Sequence, residues 1–296
     1  MEKTSEWLRS FNSNQVRDLN SIASLKKPTE KTTQTISITG GKGGVGKTSV
    51  SLKMAKELAA QGNKVLLIDC DYNLSNTAIK LGLPLSNTFY DLVSAEKSFQ
   101  ECLYQEGSFH LLSACNGSID LFDASFRLEE IIIDIMTAHE KEYDYILLDC
   151  PAGLSRESLV LNAYCDHRIL IVTPDRSSIT DSYSLIKVLN KKFGVNQNHL
   201  LVNMVNTKPQ YVKVIQTLSE TVENFLGCRT KILGGIKKLD TQANNFDQYF
   251  LARGKNSHHE NFLKVVHKLT DELSANGTEK GSQAFHPKRR IEQEVH

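Results

Sequence analysis

Five glycines fall within the seven residues Gly40-Gly41-Lys42-Gly43-Gly44-Val45-Gly46, and no other stretch of the chain constrains its fold as tightly. The run follows directly on Thr35-Ile36-Ser37-Ile38-Thr39, whose β-branched side chains favour a strand. It leads into Thr48–Gln61, which reads as a helix. From Gly41 the residues fit G-x-x-x-x-G-K-[ST], closed by Lys47 and Thr48, in the strand–loop–helix setting that this motif needs. Glycines let backbone N–H groups turn inward around phosphate oxygens, and the helix start adds its positive end. Gly41, Lys42, Gly43, Gly44, Val45, Gly46, Lys47, Thr48 and Ser49 are therefore the candidate nucleotide-binding residues. Lys47 is placed to reach the β- and γ-phosphates, and the Thr48 hydroxyl to ligate Mg²⁺. Lys42 is not required by the general motif; it reads as an extra cation for phosphate charge in the transition state, supplied in cis or to a facing subunit.

Beyond the loop, short apolar strands alternate with helices. Strands are predicted at Lys64–Asp69, Phe109–Ser113, Tyr143–Asp149, Arg168–Thr173, Leu200–Val205 and Lys231–Ile236, and helices at Phe126–Lys141, Ser155–Tyr164, Ser178–Phe193, Gln210–Leu226 and Asn261–Leu273. Tyr145-Ile146-Leu147-Leu148 and Ile169-Leu170-Ile171-Val172 are continuously apolar rather than alternating, which implies burial on both faces of the sheet. The expected fold is α/β, a P-loop NTPase with a mostly parallel sheet and helices on both faces. Ligands in such sheets lie at the carboxyl ends of strands. Two predicted strands end in carboxylates there, Asp69-Cys70-Asp71 and Asp149-Cys150-Pro151-Ala152-Gly153. One carboxylate can hold a Mg²⁺-bound water and another can orient an attacking water.

The 35 basic and 34 acidic residues leave a formal charge of +1, so no global positive field recruits a nucleic-acid backbone, and direct nucleic-acid binding is not expected. No apolar run approaches the ~20 residues that span a bilayer, and the polar N-terminus has no signal-peptide core. A cytoplasmic location follows, with a peripheral position at the inner face of the membrane left open. The six cysteines are scattered without CxxC spacing and read as free buried thiols. Three regions are expected: residues 1–33, an amphipathic helix and flexible linker; residues 34–275, the P-loop domain; and a polar, disordered tail over 276–296. In the first, Leu8, Phe11, Gln15, Leu19 and Ile22 share one helical face. In the last predicted helix Phe262, Leu263, Val265, Val266, Leu269 and Leu273 form an apolar face suited to core packing rather than to a membrane surface.

Lys42-Gly43-Gly44-Val45-Gly46-Lys47-Thr48 resembles the deviant Walker A motif of the MinD/ParA class of P-loop ATPases. Asp69–Asn76 resembles that class's switch I, and Asp149–Gly153 its switch II. With Thr173-Pro174-Asp175 and Thr180–Lys187, the resemblance is strongest to the flagellar number regulators within it, the FlhG (FleN) family, and it spans residues 34–250. The resemblance implies an ATP hydrolase that uses Mg²⁺ and forms a homodimer on binding ATP. Lys42 would cross to the partner subunit's phosphates, Asp71 would position the hydrolytic water, Asp149 would hold Mg²⁺ through a water, and Asn203 would contact the purine base. It further implies an N-terminal helix that stimulates an FlhF-type GTPase of the signal-recognition-particle class, here through Gln15 and Leu19. Flagellar switch proteins or a flagellar transcription regulator are the other partners it suggests. The chain departs from the class at Asn73, where glycine is usual, and in Gly235-Ile236-Lys237-Lys238-Leu239-Asp240, which lacks the usual proline. A ParA-type ATPase that partitions DNA or cargo is the alternative; it would need a basic surface, for which Lys187, Lys191 and Lys192 are candidates.

Overall fold

The structure is a computed structural model that describes residues 33–71, 76–84, 88–114, 127–242 and 245–279. The N-terminal segment with Trp7, Gln15 and Leu19, switch I residue Asn73, Cys115 and the tail beyond residue 279 lie outside the described residues. The strands are β1 (Gln34–Thr39), β2 (Val65–Asp69), β3 (Leu103–Glu106), β4 (Phe109–Leu112), β5 (Tyr145–Asp149), β6 (His167–Val172), β7 (Gln197–Val205) and β8 (Arg229–Lys237). The helices are α1 (Lys47–Ala60), α2 (Thr77–Lys80), α3 (Thr88–Val93), α4 (Leu128–His139), α5 (Arg156–Tyr164), α6 (Arg176–Phe193), α7 (Lys208–Leu226), α8 (Phe246–Leu251) and α9 (Ser257–Glu279). The strands build one sheet in the order β3-β4-β2-β5-β1-β6-β7-β8, parallel except for the β3–β4 pair.

The continuous apolar runs do what their pattern requires. In β2, Val65 and Leu67 join a core shared with α1 and α9, while Leu66 and Ile68 join a second core under α4 and α5. A third core packs α6 and α7 against β6 and β7. Strand β1 lies between β5 and β6, so the loop that follows it emerges at the centre of the sheet. Helix α9 buries Phe262, Val265, Val266, Leu269 and Leu273, so its apolar face is core. No described helix is long and apolar enough to cross a membrane. Cys70, Cys102, Cys150, Cys165 and Cys228 are buried, with no disulfide among the described residues.

Two differences from the sequence reading have physical causes. Strand β3 is a half-exposed edge of mixed residues with no apolar run to announce it. Strand β7 begins at Gln197, three residues before the expected Leu200, because Asn198 and His199 are polar yet buried. Burial first, then the neighbouring His167, Lys231 and Arg168, hold His199 neutral, with a pKa of about 3. Its 3.1 Å contact with Glu272 of α9 is therefore not an ion pair at neutral pH.

The folded-state pKa of His199 lies below the unfolded value of 6.5, so the unfolded chain takes up a proton that the folded chain refuses. Stability is then lost as pH falls from about 6.5 towards 3, by about 1.4 kcal/mol per pH unit from this one group. Denaturant titrations at pH 7 and pH 5 should show a smaller acid-side loss for His199→Gln than for the parent chain.

Candidate functional site

The glycine-rich loop is shaped by its own backbone and by α6 and β7 beside it. Gly44 and Gly46 adopt φ of 77° and 93°, the left-handed region that side chains resist, and Gly46 caps the start of α1. At Gly41 space is the constraint: a Cβ would fall on the Asp181 carbonyl of α6 and 2.6 Å from Ser182 N. Asn203 of β7 donates from Nδ2 to the Val45 carbonyl (2.8 Å) and accepts the Met204 N–H at Oδ1 (2.9 Å). Met204 itself has φ 56°, at a break in the β7–β8 register, and this bend turns Asn203 towards the loop. With its amide engaged this way, Asn203 serves as a strut of the loop; a base contact would require it to share or release Val45.

Below the loop, neighbouring strands β2 and β5 place Asp69 opposite Asp149, both buried. Burial, and then the Asp69 charge, push Asp149 up to about 7, against hydrogen bonds from Thr48 and Ser51. Ser51 Oγ donates to Asp149 Oδ1 at 3.0 Å. Asp69 ties down both ends of the segment that carries Asp71: Oδ1 accepts the Asp71 N–H (3.0 Å) and Oδ2 accepts the Thr77 hydroxyl (2.6 Å). Burial lowers the pKa of Lys47, while Asp149, Cys150 and Asp71 pull it back; the lysine thus lies within electrostatic reach of both carboxylates singled out in the sequence. The oxygen donors of Thr48 and Asp149, beside the second buried carboxylate of Asp69, fit a hard cation such as Mg²⁺ that keeps part of its water shell.

Lys42 does not project alone. Its Nζ donates to Asp175 Oδ1 (3.0 Å) and Ser177 Oγ (2.6 Å) at the start of α6. Desolvation raises the Asp175 pKa, but hydrogen bonds from Ser177, Thr173, the Ser178 N–H and Lys42 outweigh it and hold the carboxyl below the usual range. Both members of the pair remain more than two-fifths exposed, so water and other anions can compete for the lysine. Lys42, Val45, Asp175, Met204, Asn206 and Lys238 line an open cavity of about 300 Å³.

The sequence reading assigns roles to the loop, Asp71, Asp149 and Asn203 but none to Asp69, Ser51, Asp175 or Lys238. Asp69 carried a readable signal, a carboxylate ending a buried strand. The others gave none, because their roles come from strand order and from which helix starts beside the loop. Lys187, Lys191 and Lys192 are exposed on α6, where the last two offset the negative end of the helix.

Residues 33–201 match the AAA domain family. The antiactivator FleN of Pseudomonas aeruginosa is 29% identical over 204 residues, which cover 69% of this chain and 73% of that protein. The septum site-determining protein MinD of Synechocystis sp. is 30% identical over 207 residues, covering 68% and 74%. This chain belongs to that family and is a MinD-type P-loop ATPase. The ATPase also shares its fold with the Pyrococcus horikoshii septum site-determining protein MinD complexed with Mg-ADP, at a TM-score of 0.66 and 22% identity over 82% of this chain and 98% of that one.

The close approach of the ATPase's loop to α6 gives a test. Gly41→Ala has to move either the loop or the α6 backbone, so ATP affinity should fall by about tenfold or more, the scale of a displaced phosphate-cradling backbone. Isothermal titration with MgATP, with the melting temperature recorded alongside, checks it.

Proposed function

We propose that this ATPase is a dimerising switch that regulates flagellar number or placement and stimulates an FlhF-type GTPase through its N-terminal helix. The observation that carries the switch is the half-exposed Lys42–Asp175 pair. Within one subunit the lysine has a local carboxylate; a facing subunit's nucleotide phosphates offer more charge, and exchanging one for the other links nucleotide state to assembly. Lys47 neutralises the β- and γ-phosphates, and the loop N–H groups cradle them. Mg²⁺, when bound, supplies further positive charge to those phosphates; Thr48, and Asp149 through a water, would hold it. Asp71, anchored at its N–H by Asp69, orients the attacking water. Lys42 of each subunit adds charge across the interface as the bond to the leaving group breaks.

Two substitutions separate these roles. Asp71→Ala should keep ATP binding, stop turnover and accumulate the dimer, whereas Lys42→Ala should remain monomeric. Light scattering with MgATP reads the outcome, and a monomeric Asp71→Ala beside a dimeric Lys42→Ala reverses the assignment.

The flagellar assignment is supported by the similarity to an antiactivator FleN and by the residue 1–25 segment. There the spacing of Leu8, Phe11, Leu19 and Ile22 about Gln15 predicts an apolar helical seam. A short amphipathic helix on a tether is marginal alone and suits a partner's groove. Gln15 would orient the partner's attacking water, as a glutamine does in small GTPases. A Met1–Leu25 peptide should raise the GTPase rate of an FlhF-type partner, and Gln15→Ala should abolish that gain while Trp7 emission still reports binding. Unchanged GTPase rate and unchanged Trp7 emission on mixing would remove this partner.

A further inference from the structure

Three residues on one face of α1, spaced at i, i+4 and i+8, are polar and buried: Ser49, Lys53 and Glu57. All three face the segment from α8 into α9. Lys53 Nζ donates to the Ala252 carbonyl (3.1 Å) and lies over the rings of Phe250 and Phe262. Glu57 meets Arg253 at 3.4 Å and His259 at 3.5 Å. These contacts, with the buried Phe250, fasten α8 to the helix that starts at the phosphate loop.

The third residue, Ser49, is different because its partner reaches further. Asp247 Oδ1 accepts from Ser49 Oγ (3.4 Å) and from Lys80 Nζ (2.8 Å). Lys80 closes α2, the short helix that begins six residues after Asp71 at Thr77. Its ammonium also lies 6.0 Å from the ring of Phe246, which stacks on Phe250. One carboxylate thus joins the first turn of α1, the helix following Asp71, and α8. The ion pair is only 22% and 31% exposed, so it is screened less than a surface pair.

We propose that Asp247 is a positioning residue for ATP hydrolysis: by gripping Lys80 and Ser49 together, it holds the far end of the Asp71 segment in register with the phosphate loop. Asp69 secures the near end through the Asp71 N–H and the start of α2 through Thr77. Four residues of helix cannot hold their own shape in water, so the orientation of α2 depends on such outside anchors. Phe250, Lys53 and Glu57 keep α8 attached without Asp247, which separates this function from folding. The proposal rests on Asp71 as the residue that orients water.

The test uses the full chain. Asp247→Ala and Lys80→Ala should each lower kcat about fivefold with KM for ATP within about twofold, the scale of losing one partly buried ion pair that acts on the chemical step. The double substitution should cost no more than either single one, and the exchanged pair Lys80→Asp with Asp247→Lys should recover most of the rate. Amide hydrogen exchange of residues 76–84 should rise in both single variants and fall again in the exchanged pair; this readout does not involve Asp71. Asp247→Asn serves if Asp247→Ala does not fold. Unchanged exchange at 76–84 in both single variants overturns the brace, and so does an additive double variant that the exchanged pair fails to rescue. Raised exchange with unchanged kcat retains the mechanical brace but overturns the role in hydrolysis, and a turnover-competent Asp71→Ala would place that failure in the Asp71 assignment.

Discussion

Two carboxylates with like charge, Asp69 and Asp149, end adjacent parallel strands inside the protein, and the functional half of the molecule is arranged around that conflict. Isolated ionised carboxylates are costly to bury. Here Asp69 is engaged by the Asp71 N–H and the Thr77 hydroxyl, Asp149 by Ser51 and Thr48, and Lys47 offers a compensating charge. Burial, and then the Asp69 charge, nevertheless push the Asp149 carboxyl above the usual carboxylate range. A dication beside these oxygens would favour the ionised form of both carboxylates.

The phosphate loop is restrained differently. Its conformation is set from outside, by α6 against Gly41, by Asn203 against Val45, and by the left-handed turns at Gly44 and Gly46. Its donors are therefore oriented before a phosphate arrives, which lowers the ordering cost of binding. Lys42 is the exception. It lies in the same loop, yet its partners are an exposed carboxylate and a hydroxyl. A backbone fixed by its neighbours and a lysine held by half-exposed partners thus lie in one loop.

How much of this was legible in the sequence depended on the range of the interaction. The loop, the two-faced burial of the parallel sheet implied by continuous apolar runs, and the carboxylates after β2 and β5 are local patterns, and each lies where its pattern placed it. The ion pair of Lys42 with Asp175 joins residues 133 apart, and the grip of Asp247 on Lys80 joins residues 167 apart; no periodicity encodes either. Polar residues misled in the other direction. Asn198 and His199 looked like the approach to β7 and are buried strand, because a sheet interior accepts polar side chains that hydropathy alone excludes. Gly41 shows a further limit, since the motif predicts a glycine for phosphate access while the structure requires it for contact with α6.

Helix α1 draws these observations together. Its N-terminus carries Lys47 and Thr48 at the end of the glycine-rich loop, Ser51 reaches Asp149 on the sheet side, and Ser49, Lys53 and Glu57 reach α8 and α9 on the other. A buried polar stripe on a core helix is an expensive way to pack it, since apolar residues of similar volume hold two helices together at lower desolvation cost. What polar contacts add is geometry: hydrogen bonds and ion pairs fix angle and register where apolar packing tolerates sliding. Register matters along α1 because a shift of one residue, about 1.5 Å, would move Lys47 relative to the glycine-rich loop and to Asp149. The chain accepts a costlier interior on this one helix because the position of its first turn is the quantity that the site depends on.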